Sequence, residues 1–252
     1  MALVAKRRIK PRIEFRYKSK SNPYLRRPGL LISRKSRFFS QPNGNYSVDS
    51  MAPFPQNLVY HGGKARLGII PAGTENNLAL SLGIPEDPQK ACALIVNGQT
   101  LKLDIGEIKI KGKKFNFFEV VTIGLAAAIY PDIKEIPKGN LSRIKDAVLT
   151  ILNHATKPKV SIELDGERKI VVETMLMTVT NIPYIGLKFL VAPDASMHDG
   201  LLDIAVYPEF SKAELLTYFG KVMNEGRAAD GKIQRYRAHK LKVKTSPVVA
   251  GG

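Results

Sequence analysis

Asn181-Ile182-Pro183-Tyr184-Ile185-Gly186, Ala192-Pro193-Asp194-Ala195 and His198-Asp199-Gly200-Leu201-Leu202-Asp203 follow one another in a single stretch, and its reading decides the fold. The stretch starts where the apolar run 174–180 ends and stops where the run 201–207 begins, so it is turn chemistry between two strands. Asp199-Gly200 is a tight turn carrying one hard carboxylate. Backbone carbonyls beside such a turn can complete an oxygen shell around Mg²⁺ without further acids. A plain Asp-Gly turn between strands is the other reading. Asp194, on the same loop, is either a turn residue or a ligand for a polar head group or metal. His198 is read as facing solvent. His61, His154 and His239 share no spacing with acids or serines, which leaves zinc and Ser-His-Asp chemistry without support.

Outward from this stretch the chain is rich in short strands. Alternation marks 100–105, 107–111 and 241–245, and 115–123 reads as one longer buried strand. Runs at 160–164 and 169–172 meet across Asp165-Gly166 as a hairpin. Helical spacing is found at 141–155, and Ser211 caps a helix over 212–224 with Glu214 in its first turn. Many strands and few helices predict an α+β chain whose unit at 99–252 is a β-sandwich. The 252 residues are 44% hydrophobic and 24% charged, ordinary globular material with enough length for a core. The single cysteine, Cys92, excludes an internal disulfide, fits a reducing compartment and sits among apolar neighbours as a core residue.

The net charge of +17 is concentrated at the start: residues 1–40 hold thirteen Lys and Arg against Glu14 alone. Prolines at 11, 23, 28, 53 and 55 interrupt any helix there. Residues 1–56 are therefore expected to be a basic, largely disordered tail. Its charge suits anionic membrane or nucleic acid, with a solvated tail as the plain alternative. No run is long enough to span a bilayer, and no secretory signal is visible, although an Arg-rich, acid-poor start also describes transit peptides.

From Leu67 the texture changes. Leu67-Gly68-Ile69-Ile70-Pro71 reads as a strand, Ala72-Gly73-Thr74-Glu75 as a turn, and 76–82 as a helix stopped by Gly83 and Pro85. A second helix opens at Asp87-Pro88. A glycine turn before a helix start can hold an anion, because the first N–H groups lack partners. A simple turn with Thr74 as N-cap is the alternative.

Taken in order, these segments resemble the diacylglycerol-kinase-like lipid kinases. Gly73-Thr74-Glu75-Asn76 resembles that family's Gly-Thr-x-Asn element, Gly98 to Gly106 its Gly-x-x-x-x-x-Asp-x-Gly strand, and Phe117 to Gly124 its Phe-x-x-x-x-x-Ile-Gly strand. The stretch from Asn181 to Asp203 is the most specific match. The resemblance covers about 57–252, with 57–98 as a partial α/β kinase segment. It implies ATP-dependent phosphorylation of a membrane lipid hydroxyl, diacylglycerol-like, by a cytoplasmic protein peripheral to the membrane. It further implies nucleotide contact at Gly73, Thr74 and Asn76. Mg²⁺ would be held by Asp199 with the carbonyls of Ser196 and Leu201.

The chain also departs from the family. The phosphate-cradling Gly-Gly-Asp-Gly-Thr loop is absent; His61-Gly62-Gly63-Lys64-Ala65 has no aspartate and lies too close to Leu67 to replace it. Asn77 stands where the family commonly has Asp, Leu80 where it has Arg, and Gly251 where the family has the aspartate of an Asp-Gly-Glu turn whose glutamate is its proposed general base. Phosphoryl transfer is mostly positioning and charge neutralisation, so the expectation is an impaired kinase, as a truncated product or a pseudoenzyme. The rival from another class is a non-catalytic protein binding anionic membrane or nucleic acid through its tail.

Overall fold

A computed structural model describes residues 2–8, 39–40, 46–49, 68–72, 76–98, 101–110, 113–124, 157–185, 189–208, 210–225 and 231–245. Two six-stranded antiparallel sheets organise them. In the first the order is β5 (Lys113–Phe117), β4 (Asp104–Ile110), β1 (Ala2–Arg8), β14 (Lys240–Thr245), β7 (Lys159–Leu164) and β8 (Arg168–Glu173). In the second it is β13 (Gln234–Ala238), β12 (Leu202–Val206), β9 (Leu176–Thr180), β6 (Val120–Gly124), β3 (Tyr46–Asp49) and β2 (Phe39–Ser40). A two-stranded ribbon of β10 (Tyr184–Ile185) and β11 (Phe189–Leu190) lies in the loop before β12.

The α+β class with a β-rich C-terminal unit is what the chain shows. The expected disordered tail needs amendment: its segments 2–8, 39–40 and 46–49 are strands. The charge pattern concealed them, because β1 is held by its register with β4 and β14 on either side, from Ala2 opposite Ile110 and Val243. In the described part of the strand expected over 67–71, residues 68–71 form no strand. Residues 68–72 carry no regular structure, since no neighbouring strand among the described residues offers them a hydrogen-bond ladder. The helix expected at 141–155 lies outside the described residues.

Period-two alternation builds the core between the sheets. Val160, Ile162 and Leu164 of β7 and Leu241 and Val243 of β14 face Met177, Val179, Leu202, Ile204 and Val206 across it. Gly106 belongs here too: a Cβ at this position would lie 2.2 Å from the Phe117 ring, so only glycine lets that ring cover the strand. Asp165 and Gly166 both take positive φ, 51° and 85°, as a primed hairpin turn requires.

Three times the described chain passes directly from one sheet to the other. The stretch expected as one strand at 115–123 breaks at Phe118-Glu119, where β5 leaves the first sheet and β6 enters the second. Between β8 and β9 the passage is Thr174-Met175; buried Thr174 Oγ1 lies 2.7 Å from the Leu176 carbonyl and 2.9 Å from that of Tyr207. His239 forms the third, between β13 and β14, where the Asp165 carboxylate accepts from the His239 and Lys240 N–H groups at 3.3 and 2.7 Å.

On the outer face of the second sheet lies helix α3 (Lys212–Glu225), after α1 (Asn77–Ser81) and α2 (Pro88–Asn97) in the chain. Leu215 and Tyr218 of α3 cover Met175, Leu176, Ala205 and Tyr207, which is why β9 is buried on both faces. Ser211 caps α3 as the sequence predicts, and its bonds with Glu214 make a reciprocal capping box. Ser211 N–H donates to Glu214 Oε2 at 2.8 Å, and Glu214 N–H to Ser211 Oγ at 3.2 Å. Cys92 is half-buried on α2 rather than in the core, with Ala91 the one buried residue of that helix.

Lys232 bonds the Glu214 carboxylate, and together with the Ser211 N–H it holds that group down at about 2 from its usual 4.5. A depressed carboxylate contributes stability above its unfolded value and loses it as pH falls through the folded one. The stability difference between wild type and Glu214→Gln, measured by urea unfolding, is expected to be constant above about pH 5 and to shrink between 4.5 and about 2. A difference that does not change over that window contradicts the capping-box role.

Candidate functional site

One end of the sandwich gathers the motif residues. Asp104 starts β4 and is 2% exposed. Its N–H donates to the Met197 carbonyl at 2.7 Å, and its Oδ2 accepts from Gly200 N–H at 2.8 Å. Two hydrogen bonds thus fasten the 197–200 loop to a strand almost a hundred residues earlier. Gly200 takes φ +76°, a conformation natural to glycine and strained for other residues. Its carbonyl lies 3.0 Å from His239 Nδ1, at the third sheet-to-sheet passage.

Asn181 is fully buried at the end of β9. Its Nδ2 donates to the Asp104 carbonyl at 3.1 Å and the Phe118 carbonyl at 3.0 Å, while its own N–H donates to Glu119 O at 2.8 Å. One amide side chain therefore binds the start of β4 and the passage from β5 to β6. Below it lies an apolar cluster of Leu78, Ile105, Phe118, Ile182 and Met197, with Ile69 and Leu82 against it. The cluster joins the 68–82 segment, expected at the nucleotide, to the loop of Asp199.

Of the sequence-predicted nucleotide residues, Gly73 and Thr74 lie outside the described residues. Asn76 is the N-cap of α1 with φ 50°, left-handed backbone that asparagine tolerates, and makes no side-chain cap bond. Asp199, Ser196 and Leu201 share the loop as expected. Asp199 Oδ1 accepts from Leu201 N–H at 2.9 Å, and Ser196 Oγ accepts from His198 N–H at 3.2 Å. His198 is exposed, with Nδ1 2.7 Å from the Lys102 carbonyl.

Arg237 is the residue that sequence reasoning missed. Its Nη2 donates to Asp199 Oδ2 and, at 3.2 Å, to the Asp194 carbonyl; its Nε pairs with Asp203 Oδ1 at 3.1 Å. The only available signal was the alternation in Gln234–Ala238, a strand the sequence reading passed over. Asp194 itself is exposed.

Does this loop suit a divalent cation? No trio of His, Cys, Asp and Glu side chains among the described residues converges on one point. A cation here would rely on Asp199 and backbone carbonyls, hard oxygen donors that fit Mg²⁺ or Ca²⁺. That a guanidinium already sits on Asp199 shows the carboxylate is placed to receive positive charge.

Residues 120–252 match the family described as the YegS C-terminal NAD kinase beta sandwich-like domain, and residues 51–108 match the diacylglycerol kinase catalytic domain. The chain belongs to the diacylglycerol kinase and YegS-type lipid kinase family. It is 28% identical over 205 residues to a diacylglycerol kinase of Bacillus subtilis (strain 168), covering 80% of this chain and 64% of that one. Against a diacylglycerol kinase of Mycobacterium tuberculosis (strain CDC 1551 / Oshkosh) it is 30% identical over 189 residues, 73% and 61% of the two chains. A crystal structure of a diacylglycerol kinase from Bacillus anthracis (strain Sterne) superposes with a TM-score of 0.52 at 26% identity, covering 73% of this chain and 59% of that one. The chain thus spans about three-fifths of the length of these relatives. Among the described residues no helix is long and apolar enough to cross a membrane.

Asn181→Ala withdraws the amide from two buried carbonyls, and each buried group left unsatisfied costs about 1–3 kcal/mol. The variant is expected to lose at least that much in urea unfolding. A loss under about 0.5 kcal/mol, ordinary for a surface change, contradicts the linking role.

Proposed function

We propose that this chain is an ATP-dependent lipid kinase of the diacylglycerol type whose phosphoryl transfer is slow. The observation that carries the reading is the junction of Asp104, Asn181 and the Asp199-Gly200 loop. The residues that mark the family in sequence are the ones hydrogen-bonded to one another at the sandwich end. Junction residues of this kind hold a loop in place; they do not by themselves move a phosphoryl group.

In this reading Gly73, Thr74 and Asn76 contact the ATP phosphates, in the turn ahead of α1. Asp199 with the carbonyls of Ser196 and Leu201 holds Mg²⁺, which would neutralise charge and brace the loop. The acceptor is the hydroxyl of a diacylglycerol-like membrane lipid, reached by a cytoplasmic protein peripheral to an anionic surface. Ten of the thirteen cationic side chains of residues 1–40 lie outside β1, and their charge supports that attachment. Slowness follows from chemistry. Without a Gly-Gly-Asp-Gly-Thr run, fewer backbone N–H groups and no loop aspartate are available to place the phosphates and their counter-ion.

The test is transfer of radiolabelled phosphate from ATP to diacylglycerol in mixed micelles, with wild type and Thr74→Ala. Slow, lipid-dependent transfer well below about 1 per second, abolished by Thr74→Ala, is expected. Turnover at an ordinary enzyme rate contradicts the impairment. Absence of both transfer and ATP binding contradicts the kinase reading.

A further inference from the structure

We propose that Arg237 and a divalent cation compete for Asp199, so that the loop has two closed forms, one held by the guanidinium and one by the ion. The inference rests on the reading that Asp199, with the carbonyls of Ser196 and Leu201, takes a divalent cation. It adds a residue that opposes that binding.

The carboxylate is preset for either partner. Leu201 N–H on Oδ1 fixes its orientation, and Gly200 N–H on buried Asp104 fixes the turn beneath it. Oδ2 then points where a positive group can approach, and Arg237 Nη2 occupies that place. A cation that coordinates this oxygen must displace the guanidinium or bind beside its charge, and both cost affinity.

Arg237 can yield without losing its position. The Nε contact to Asp203 Oδ1 at 3.1 Å does not involve Asp199, whereas the Nη2 that leaves Asp199 leaves the Asp194 carbonyl with it. The Asp203 side chain is also the less exposed of the two carboxylates, 12% against 27% for Asp199. Asp203 is therefore the deeper anchor, and Asp199 is the contact to be exchanged. Arg237 is the fourth of the five residues of β13, and Tyr236 and Ala238 on either side of it pair with β12, so the side chain swings from a fixed base. Transfer between the two forms needs a rotation about the guanidinium end, with no change in the strands.

Mg²⁺ and Ca²⁺ titrated calorimetrically into the full-length chain test this, with Arg237→Gln, Arg237→Lys and Asp199→Asn alongside. Arg237→Gln is expected to bind about tenfold more tightly than wild type or better, the effect of removing one adjacent unit charge. Arg237→Lys, which keeps the charge, should stay near wild type, and Asp199→Asn should not bind. If Arg237→Gln and wild type bind alike, or the variant binds more weakly, competition is wrong while the cation site stands. If wild type and Arg237→Gln both fail to bind, the cation reading fails and the proposal with it. Should Arg237→Gln not fold, the side-chain NMR signals of Arg237 in wild type decide. They shift on saturation with Mg²⁺ if the guanidinium is displaced, and unchanged signals in a chain that binds Mg²⁺ overturn the proposal.

Discussion

A buried amide that must hold two distant carbonyls is the constraint on which this structure turns. Asn181 reaches the Asp104 carbonyl 77 residues away and the Phe118 carbonyl 63 residues away. Each contact closes off backbone that the end of the sandwich removes from water, where an unmet carbonyl is costly. An apolar residue of similar size would fill the space and leave both carbonyls to find other partners. The amide also sets the position of Asp104, and through Asp104 that of Gly200 and the loop it ends.

The same logic recurs wherever the chain changes sheet. A passage between two sheets interrupts both ladders, so its backbone groups need partners from side chains. Asn181 serves the passage at Phe118-Glu119, Thr174 the one beside it, and Asp165 the one at His239. Two of these lie near the candidate site: His239 touches the Gly200 carbonyl, and Phe118 packs with Met197 of the loop. The site is therefore built from the devices that hold the sandwich together, and a change to it acts on stability as well as on chemistry.

Much of this was legible in the sequence. Alternation located β14, runs of strand-forming residues located β7, β9 and β12, Asp165-Gly166 located a hairpin, and Ser211 with Glu214 located the start of α3, because each depends on contacts within a few residues. Tertiary pairing hid the rest. A basic start gave no hint that β1 sits between β4 and β14, and the apolar run at 115–123 could not show that it bends out of one sheet into another. The loop residues Asp199 and Gly200 carried a motif, so they were found. Arg237 carries none; its meaning comes from β13 lying next to β12, which places its guanidinium over Asp199 and Asp203.

The 197–201 loop is fixed from beneath by Asp104 and from within by Asp199. Hydrogen exchange at the Gly200 and Leu201 amides measures that directly. Both N–H groups donate to carboxylates, so they should exchange slowly, at rates near those of the β12 amides that follow them. Exchange as fast as in an unprotected surface loop would contradict it.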